Sequence, residues 1–571
     1  MKVPKIKGKF KMPDSIRALI RESAEKYGDK ILYKYYNNTN EIAEISYKKF
    51  YEDFNSLGTA ICSLGLQKAK IAVLGENSPQ WITAYTSIMS SGSIVIPLDK
   101  ELLPSQIEAF LNYSDAEAIF CSSKYVDKVL EMDIPNIKYI IDFDGKGSED
   151  ARYLGYPELI EKGTELLEEG FNKFLQARYD SSKMCALIFT SGTTGTSKGV
   201  MLSEDNILTS VTASSNMINL PEDTVLMSVL PMHHTYELTC GQLTAIRLGV
   251  TICINNSLKY LMKNFKLFRP TAMVVVPLYV STLKKRISDE IRKRNKENVI
   301  NVGVKATKAL RKVGLDTRSL VFSEILASLG GRLKEIVCGG AAADPEAIQW
   351  FENIGINVSQ GYGITECSPL VAVNPLVTVH YDSVGIAIPG SKIKIIADEE
   401  DGGEVDMPNG EIGEICVKGP HVMIGYYKDE EATKAVFTEE GYFRTGDYGY
   451  MDDDGFLYIT GRKKNIIILD NGKNVYPEEI EEYLAKIEYI KECVVIGRAN
   501  ENGEVVITAL IYPDYDLFKG CEDSEIINKM RSEVAKVNKI LPTFKQVRNI
   551  ELKKTEFEKT TTKKIMRYKL S

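Results

Sequence analysis

The chain has 571 residues, 44% hydrophobic and 26% charged, a balance that excludes intrinsic disorder, a collagen-like repeat and a global coiled coil. It is about three times the length of a typical domain, so two or more domains are expected. Lys and Arg total 71 against 78 Asp and Glu, a net charge of −7 that argues against a dedicated nucleic-acid binder, whose affinity rests on neutralising phosphates.

The cysteines are scattered, with no C-x-x-C pair, as in a reduced compartment where Cys serves as a small core residue. The four histidines fit no zinc template. The lysine-rich first residues lack an apolar stretch behind them, so no secretory signal is expected. No apolar run is long enough to span a bilayer. The expected location is the cytoplasm, with at most a peripheral contact between the basic start and an anionic membrane.

In chain order, residues 15–27 and 47–64 have helical spacing, and 70–77 is an apolar run ending in turn residues. Helix is expected over 79–89 and 104–113, and strand over 93–99 and 117–121. Strands alternating with helices of this length predict βαβ units and a parallel sheet. The pattern resumes in strands at 185–190, 272–277 and 333–338, with a charged helical stretch, 283–312, read as a solvated surface helix. From about residue 383 the texture turns to short alternating strands (392–396, 413–419) broken by Gly, Pro, Asn and Asp, a β-rich and barrel-like module over about 383–460. Beyond Gly461 come a strand, a turn, a helix over 477–485 and further αβ units, which places a domain boundary at 462–465.

The strongest chemical feature is 187–200, Leu-Ile-Phe-Thr-Ser-Gly-Thr-Thr-Gly-Thr-Ser-Lys-Gly-Val: an apolar strand running into hydroxyl and glycine residues and one lysine. Glycines let successive N–H groups point at one anion, hydroxyls add donors, and Lys198 adds charge, as a polyphosphate loop requires. It is not a Walker A loop, because Ser197 precedes the lysine and Gly199 follows it. Three further features are ambiguous alone. Residues 361–369, Gly-Tyr-Gly-Ile-Thr-Glu-Cys-Ser-Pro, fit a tight turn with an exposed Tyr as well as a base-stacking platform. Asp447, in Tyr-Phe-Arg-Thr-Gly-Asp (442–447), fits a turn cap as well as a ribose ligand. The basic tail over 551–571 reads, on its own, as a solvated terminus.

Together and in this order, these segments resemble the adenylate-forming superfamily of acyl-CoA synthetases, adenylation domains and firefly luciferase. Residues 191–200 look like its phosphate loop, 361–369 its Y-G-x-T-E motif and 442–447 its R-T-G-D motif. Residues 461–481 resemble its hinge block, and Lys-Lys-Ile-Met-Arg (563–567) its terminal G-K-[IV]-x-R. The resemblance covers essentially the whole chain and is nearest to bacterial long-chain fatty acid–CoA ligases.

It implies an α/β fold: a large N-terminal adenylation domain (1–462) of two doubly wound sheets plus the barrel-like module, and a small mobile α+β domain (463–571) carrying the catalytic lysine. The implied reaction activates a medium- or long-chain fatty acid with ATP and Mg²⁺ to an acyl-adenylate, then transfers the acyl group to coenzyme A. An acyl carrier protein as acceptor, release of the acyl-adenylate, and a degenerate nucleotide-binding scaffold are the alternatives.

By resemblance, Ser191, Gly192, Thr193, Thr194, Gly195 and Lys198 hold the β- and γ-phosphates, assisted by Thr190 and Ser197. Thr365 contacts the α-phosphate and Glu366 the Mg²⁺. Tyr362 and Gly363 lie at the adenine beside Gly340, Ala341 and Ala342, while Asp447 and Arg462 hold the ribose. Lys564 is the catalytic lysine, although Lys563 stands where the motif has Gly. Lys464 is the hinge, Asn471 and Gly472 border the coenzyme A path, and His234 gates the carboxylate end of the acid. Acetate-specific relatives carry a bulky aromatic where this chain has Gly363, and its lack of a side chain is read as leaving room for a longer acyl tail.

Overall fold

A computed structural model describes residues 8–190, 198–218, 220–375, 380–397, 404–470, 473–500, 503–560 and 564–570. The alternation of strand and helix read from the sequence is present. The helix Ile16–Tyr27 starts at Ser15, whose side chain accepts from the Ala18 N–H, and Tyr47–Ser63 is capped in the same way by Ser46. Pro79–Ser90 has Ser78 as its cap and proline in its first turn.

Two large sheets result. The eight-stranded sheet runs Gly425–Tyr426, Lys198–Ser203, Met184–Thr190, Ile94–Leu98, Lys70–Leu74, Ala118–Cys121, Tyr139–Asp142, Tyr153–Gly155. It is parallel from Met184–Thr190 onward and antiparallel at the other edge. The thirteen-stranded sheet has a parallel centre in which Ala272–Val275, Glu335–Cys338 and Asn357–Gly363 are successive neighbours. Trp81, Tyr85, Phe50, Phe54 and Tyr33 are fully buried in the main core, and much of the fold's stability comes from taking such surfaces out of water.

Several expectations are corrected. The β-rich module is no closed barrel among the described residues: its strands Gly385–Ala387, Phe456–Arg462, Phe443–Met451, Gly413–Lys418 and Lys392–Ile396 extend the large sheet in antiparallel register from Leu370–Val373. The charged stretch 283–312 is two helices, Pro277–Lys293 and Glu297–Arg311, separated where Asn295 takes a left-handed conformation. A hairpin of Ile31–Tyr36 and Ile42–Ser46 sits at the far edge of the large sheet, held there by parallel pairing with Thr251–Ile254. That pairing is a long-range event with no local signature.

After Arg462 the chain builds a separate core. Ile490–Ala499 and Val505–Pro513 pair antiparallel, Asn549–Leu552 joins in parallel, and the helices Pro477–Leu484 and Asp523–Asn538 pack with them around Val475, Ile480, Leu484, Ile507 and Met530. Ion pairs join this part to the rest: Lys486 to Glu346 at 3.4 Å, Lys285 to Asp514 at 3.3 Å and Arg292 to Glu488 at 3.5 Å.

One buried group makes the fold pH-sensitive. His421 is fully buried, neither ring nitrogen has a hydrogen-bond partner among the described residues, and burial pushes its pKa down to about 4. The folded protein therefore binds fewer protons here than the unfolded chain between about pH 6.5 and 4. Its contribution to stability is present above pH 6.5 and is lost as the pH falls through that window, by about 3 kcal/mol in all. Urea titrations across this range are expected to show an acid slope in the wild type that His421→Leu flattens; an unchanged slope would remove His421 as its cause.

Candidate active site

The site assembles where strands end. Glu335–Cys338 and Asn357–Gly363 run parallel with Cys338 opposite Gln360, so Gly340–Ala342 and Gly361–Gly363 emerge side by side at the carboxyl edge of the sheet. Val225–Ser228, in the same parallel run, sends His233 and His234 to that edge. Open α/β sheets bind ligands at this edge. Ala341 and Ala342 are exposed there, and Gly340 has φ +87°, a conformation that favours glycine.

Phe443–Met451 and Phe456–Arg462 place Asp447 directly opposite Arg462. The Arg462 Nε lies 2.8 Å from Asp447 Oδ1, and the Tyr362 hydroxyl donates to Asp447 Oδ2 at 2.6 Å. Asp447 is 5% exposed and Arg462 44%, so the pair presents its guanidinium outward and its carboxylate inward. Tyr362 is itself buried, with its hydroxyl committed to Asp447.

Glu366 sits on the short turn Thr365–Cys367. Burial raises its pKa, opposed by its own backbone N–H and by the Tyr426 hydroxyl, which donates to Oε1 at 3.1 Å. Tyr426 is the residue that sequence reading missed. Its strand pairs with Lys198–Ser203, and the Lys198 ammonium lies over its ring, 4.5 Å from the centroid. One tyrosine thus positions both the acidic and the basic member of the site. Its signal, a Gly-Tyr-Tyr run at 425–427, is too short to stand out.

Lys198 begins a strand whose partner ends at Thr190, with the two residues paired across the ladder. The stretch joining them carries Ser191, Gly192, Thr193, Thr194, Gly195 and Ser197, which lie outside the described residues, as do Lys563, Asn471 and Gly472. Lys464 falls in the short turn Lys463–Asn465 that leads into the C-terminal part. Burial lowers its pKa, and the charges of Lys198 and Arg462 lower it further. Just beyond that turn, the Asn465 amide donates to Glu478 Oε1 at 2.6 Å.

Lys564 reaches the same cleft from the opposite end of the chain. Its N–H donates to Thr560 Oγ1 at 3.2 Å, and its carbonyl accepts from the Thr560 N–H at 2.8 Å, so its backbone is tied to Thr560. Its side chain meets solvent but is crowded by protein. Burial and the Arg462 charge lower its pKa, and Asp447 opposes them. The Lys564 charge also bears on His234, which burial and the neighbouring His233 hold well below the usual histidine range. His233 lies 3.5 Å from Asp99 and its ring centroid 4.1 Å from that of His234.

The reading of Gly363 as a vacancy for an acyl tail is corrected. A Cβ built there would come 2.1 Å from the Pro369 carbonyl oxygen, so glycine is needed for the close approach of the chain's own backbone. Among the described residues no group of three or more His, Cys, Asp or Glu could hold a metal, so a cation at Glu366 would have few protein ligands. That arrangement fits Mg²⁺, which keeps several waters and is commonly completed by phosphate oxygens.

Lys198, Arg462, Lys464 and Lys564 thus converge around Glu366 and Asp447 at the carboxyl edge of a parallel sheet. This is a cleft of the class that accepts a nucleotide polyphosphate. The chain belongs to the AMP-binding enzyme family: the family's main model matches residues 20–427 and that of its C-terminal domain matches 464–571. A peroxisomal long chain acyl-CoA synthetase 6 of Arabidopsis thaliana is 28% identical over 89% of this chain and 74% of its own. The long-chain-fatty-acid–CoA ligase FadD15 of Mycobacterium bovis is 28% identical over 81% of this chain and 76% of its own. The fold is shared with ATP-bound MatB from Rhodopseudomonas palustris, at a TM-score of 0.76 and 22% identity over 97% of this chain and 98% of that one. It is also shared with an anthranilate CoA ligase bound to anthranoyl-AMP, at a TM-score of 0.78 and 20% identity over 98% and 97% of the two chains.

Tyr426→Phe keeps the ring under Lys198 but strips Glu366 of its hydroxyl donor. The expected cost is about 1–3 kcal/mol of stability at neutral pH, measured by denaturant unfolding, with Tyr426→Ala costing more because the cation–π contact also goes. Equal stabilities for the two variants would separate Lys198 from the tyrosine.

Proposed function

We propose that this chain is an AMP-forming ligase that activates a medium- or long-chain fatty acid with ATP and passes the acyl group to coenzyme A. The convergence of four cations on two carboxylates, with Lys464 and Lys564 both depressed in pKa, carries the reading. Burial, and after it the neighbouring cations, lower the pKa of both lysines, and such a crowding of positive groups is the complement of a polyanion. A carboxylate approaching a nucleotide polyphosphate faces repulsion, so positioning and fixed positive charge are the main contributions a protein can make.

In this reading Lys198 and the hydroxyls of Thr190, Ser191, Thr193 and Thr194 hold the β- and γ-phosphates, and Thr365 the α-phosphate. Tyr362 and Gly340–Ala342 border the base, and Asp447 and Arg462 the ribose. Glu366 would hold a Mg²⁺ ion, whose contribution when bound is to offset phosphate charge. Lys564 bridges the acid and the α-phosphate. His234, kept neutral by burial, faces the carboxylate end without adding a competing charge. The acyl class is supported by the long-chain relatives. With each buried CH₂ contributing about 0.8 kcal/mol, kcat/KM is expected to climb steeply with chain length until the acyl site is filled.

Residues 1–462 and 463–571 act in this proposal as two lobes about Lys464, the second presenting Lys564 for the first half-reaction and withdrawing it for the second, when Asn471 and Gly472 border the thiol's path. The separate core of the C-terminal part and its attachment through ion pairs support such a motion. Nothing in the site favours a carrier protein over coenzyme A; adding each to preformed adenylate shows which one consumes it.

ATP–pyrophosphate exchange across a panel of carboxylic acids tests the whole reading: exchange that depends on a fatty acid is expected, and no exchange with any acid would leave a nucleotide-binding scaffold. Lys564→Ala is expected to slow that exchange at least about a hundredfold while preformed acyl-adenylate still reacts with coenzyme A. Lys464→Pro should do the reverse, sparing exchange and crippling thioester formation. Equal loss of both half-reactions in Lys464→Pro would refute the pivot.

A further inference from the structure

We propose that the helix Glu297–Arg311 and the turn after it form a docking face for an anionic membrane surface. The inference is independent of which acid the cleft accepts.

The helix has three faces. Ile300, Val304 and Thr307 pack inward against the core beside Phe322. At about 100° per residue, Val299, Val302, Ala306, Ala309 and Leu310 share one arc of about 100° on the outside. All five are exposed, Val299 and Val302 by 67% and 66%. The apolar surface continues past the helix end in Val313, 72% exposed, and in Leu315 and Leu320. Val321 joins it from the side, since a Cβ on Gly303 would lie 3.0 Å from its Cγ1. Exposed apolar residues scattered singly need no explanation, but a contiguous stripe along one helix does.

The third face supplies the identity of the partner. Lys305, Lys308 and Lys312 flank the apolar arc on its solvent side, and none has a carboxylate within ion-pairing distance among the described residues. The nearby carboxylates are already engaged: Glu297 with Arg292, Glu324 with Arg294 and Lys296, Asp316 with Arg318, and Glu352 with Arg311. Residues 284–312 hold eleven Lys and Arg against three Asp and Glu, a local charge of +8 in a chain whose total is −7. A helix with valine and leucine on one face and lysines beside them lies along a lipid interface, its apolar side in the acyl boundary and its ammonium groups among anionic headgroups. A nucleic acid would use the lysines and leave the apolar arc in water. A second copy of the chain would bring Lys305, Lys308 and Lys312 against the same lysines.

Among the described residues no helix is long and apolar enough to cross a membrane, so the association would be peripheral and reversible. Co-sedimentation with phosphatidylcholine vesicles, with and without phosphatidylglycerol, tests it. The full-length protein is expected to bind the anionic vesicles at least about tenfold more tightly than the neutral ones, with binding weakening as salt is raised. Lys305→Glu/Lys308→Glu/Lys312→Glu and Val299→Ser/Val302→Ser/Val313→Ser should each reduce that binding at least about tenfold while keeping the wild-type melting temperature, because every altered side chain faces solvent. Equal binding to both vesicle types, undiminished binding by the serine variant, or a dimer in sedimentation that the serine variant dissolves would each overturn the proposal. A lowered melting temperature in the serine variant would do so as well, by showing the apolar arc to be packed within the molecule.

Discussion

The structure turns on the holding of like charges close together in a partly dehydrated cleft. Lys198, Arg462, Lys464 and Lys564 stand close together, with Glu366 and Asp447 among them as opposing charges. Such a grouping is unfavourable without a scaffold that fixes each backbone, because both desolvation and Coulomb repulsion favour dispersal. Part of that scaffold is the end of two sheets, where paired strands fix Lys198 and Arg462, while Lys464 sits on the turn that follows and Lys564 is brought in by the C-terminal part. Strain of this kind is what a bound polyanion relieves, and so the arrangement reads as binding chemistry more than as stability.

Second contacts keep the charged groups in place. Asp447 is bound on one oxygen by Arg462 and on the other by Tyr362, so its orientation is set twice. Glu366 and Lys198 share Tyr426, which arrives on a two-residue strand added to the edge of the other sheet. The C-terminal part is joined to the large part by exposed ion pairs, each contributing about 0–1 kcal/mol, and by the contact of Tyr476 with Tyr448, whose ring centroids lie 6.0 Å apart. Its own core does not depend on them.

Much of this was legible in the sequence. The caps at Ser15, Ser46 and Ser78 and the alternation of strand and helix are local signals, and the elements they announce begin within a residue or two of where they were expected. The Gly- and hydroxyl-rich segment at 191–197 is recognisable by composition alone, and it lies outside the described residues. What failed were inferences about which side chain faces what. Gly363 read as room for a ligand is room for the Pro369 carbonyl, and the 383–460 module read as a barrel is an extension of an existing sheet. The stretch 283–312, read as one solvated face, has a buried side, a basic side and an exposed apolar side that only its placement against Phe322 and Val321 distinguishes.

The sequence by itself determined the order of strands and helices, because each depends on neighbours within a few positions along the chain. The tertiary structure decided that Tyr426 stands between Glu366 and Lys198, that Tyr362 holds Asp447, and that a lysine at position 564 faces an arginine at 462 and a histidine at 234. Those are contacts between segments tens to hundreds of residues apart. Their geometry is fixed by strand register and packing, which no local pattern of residue types encodes.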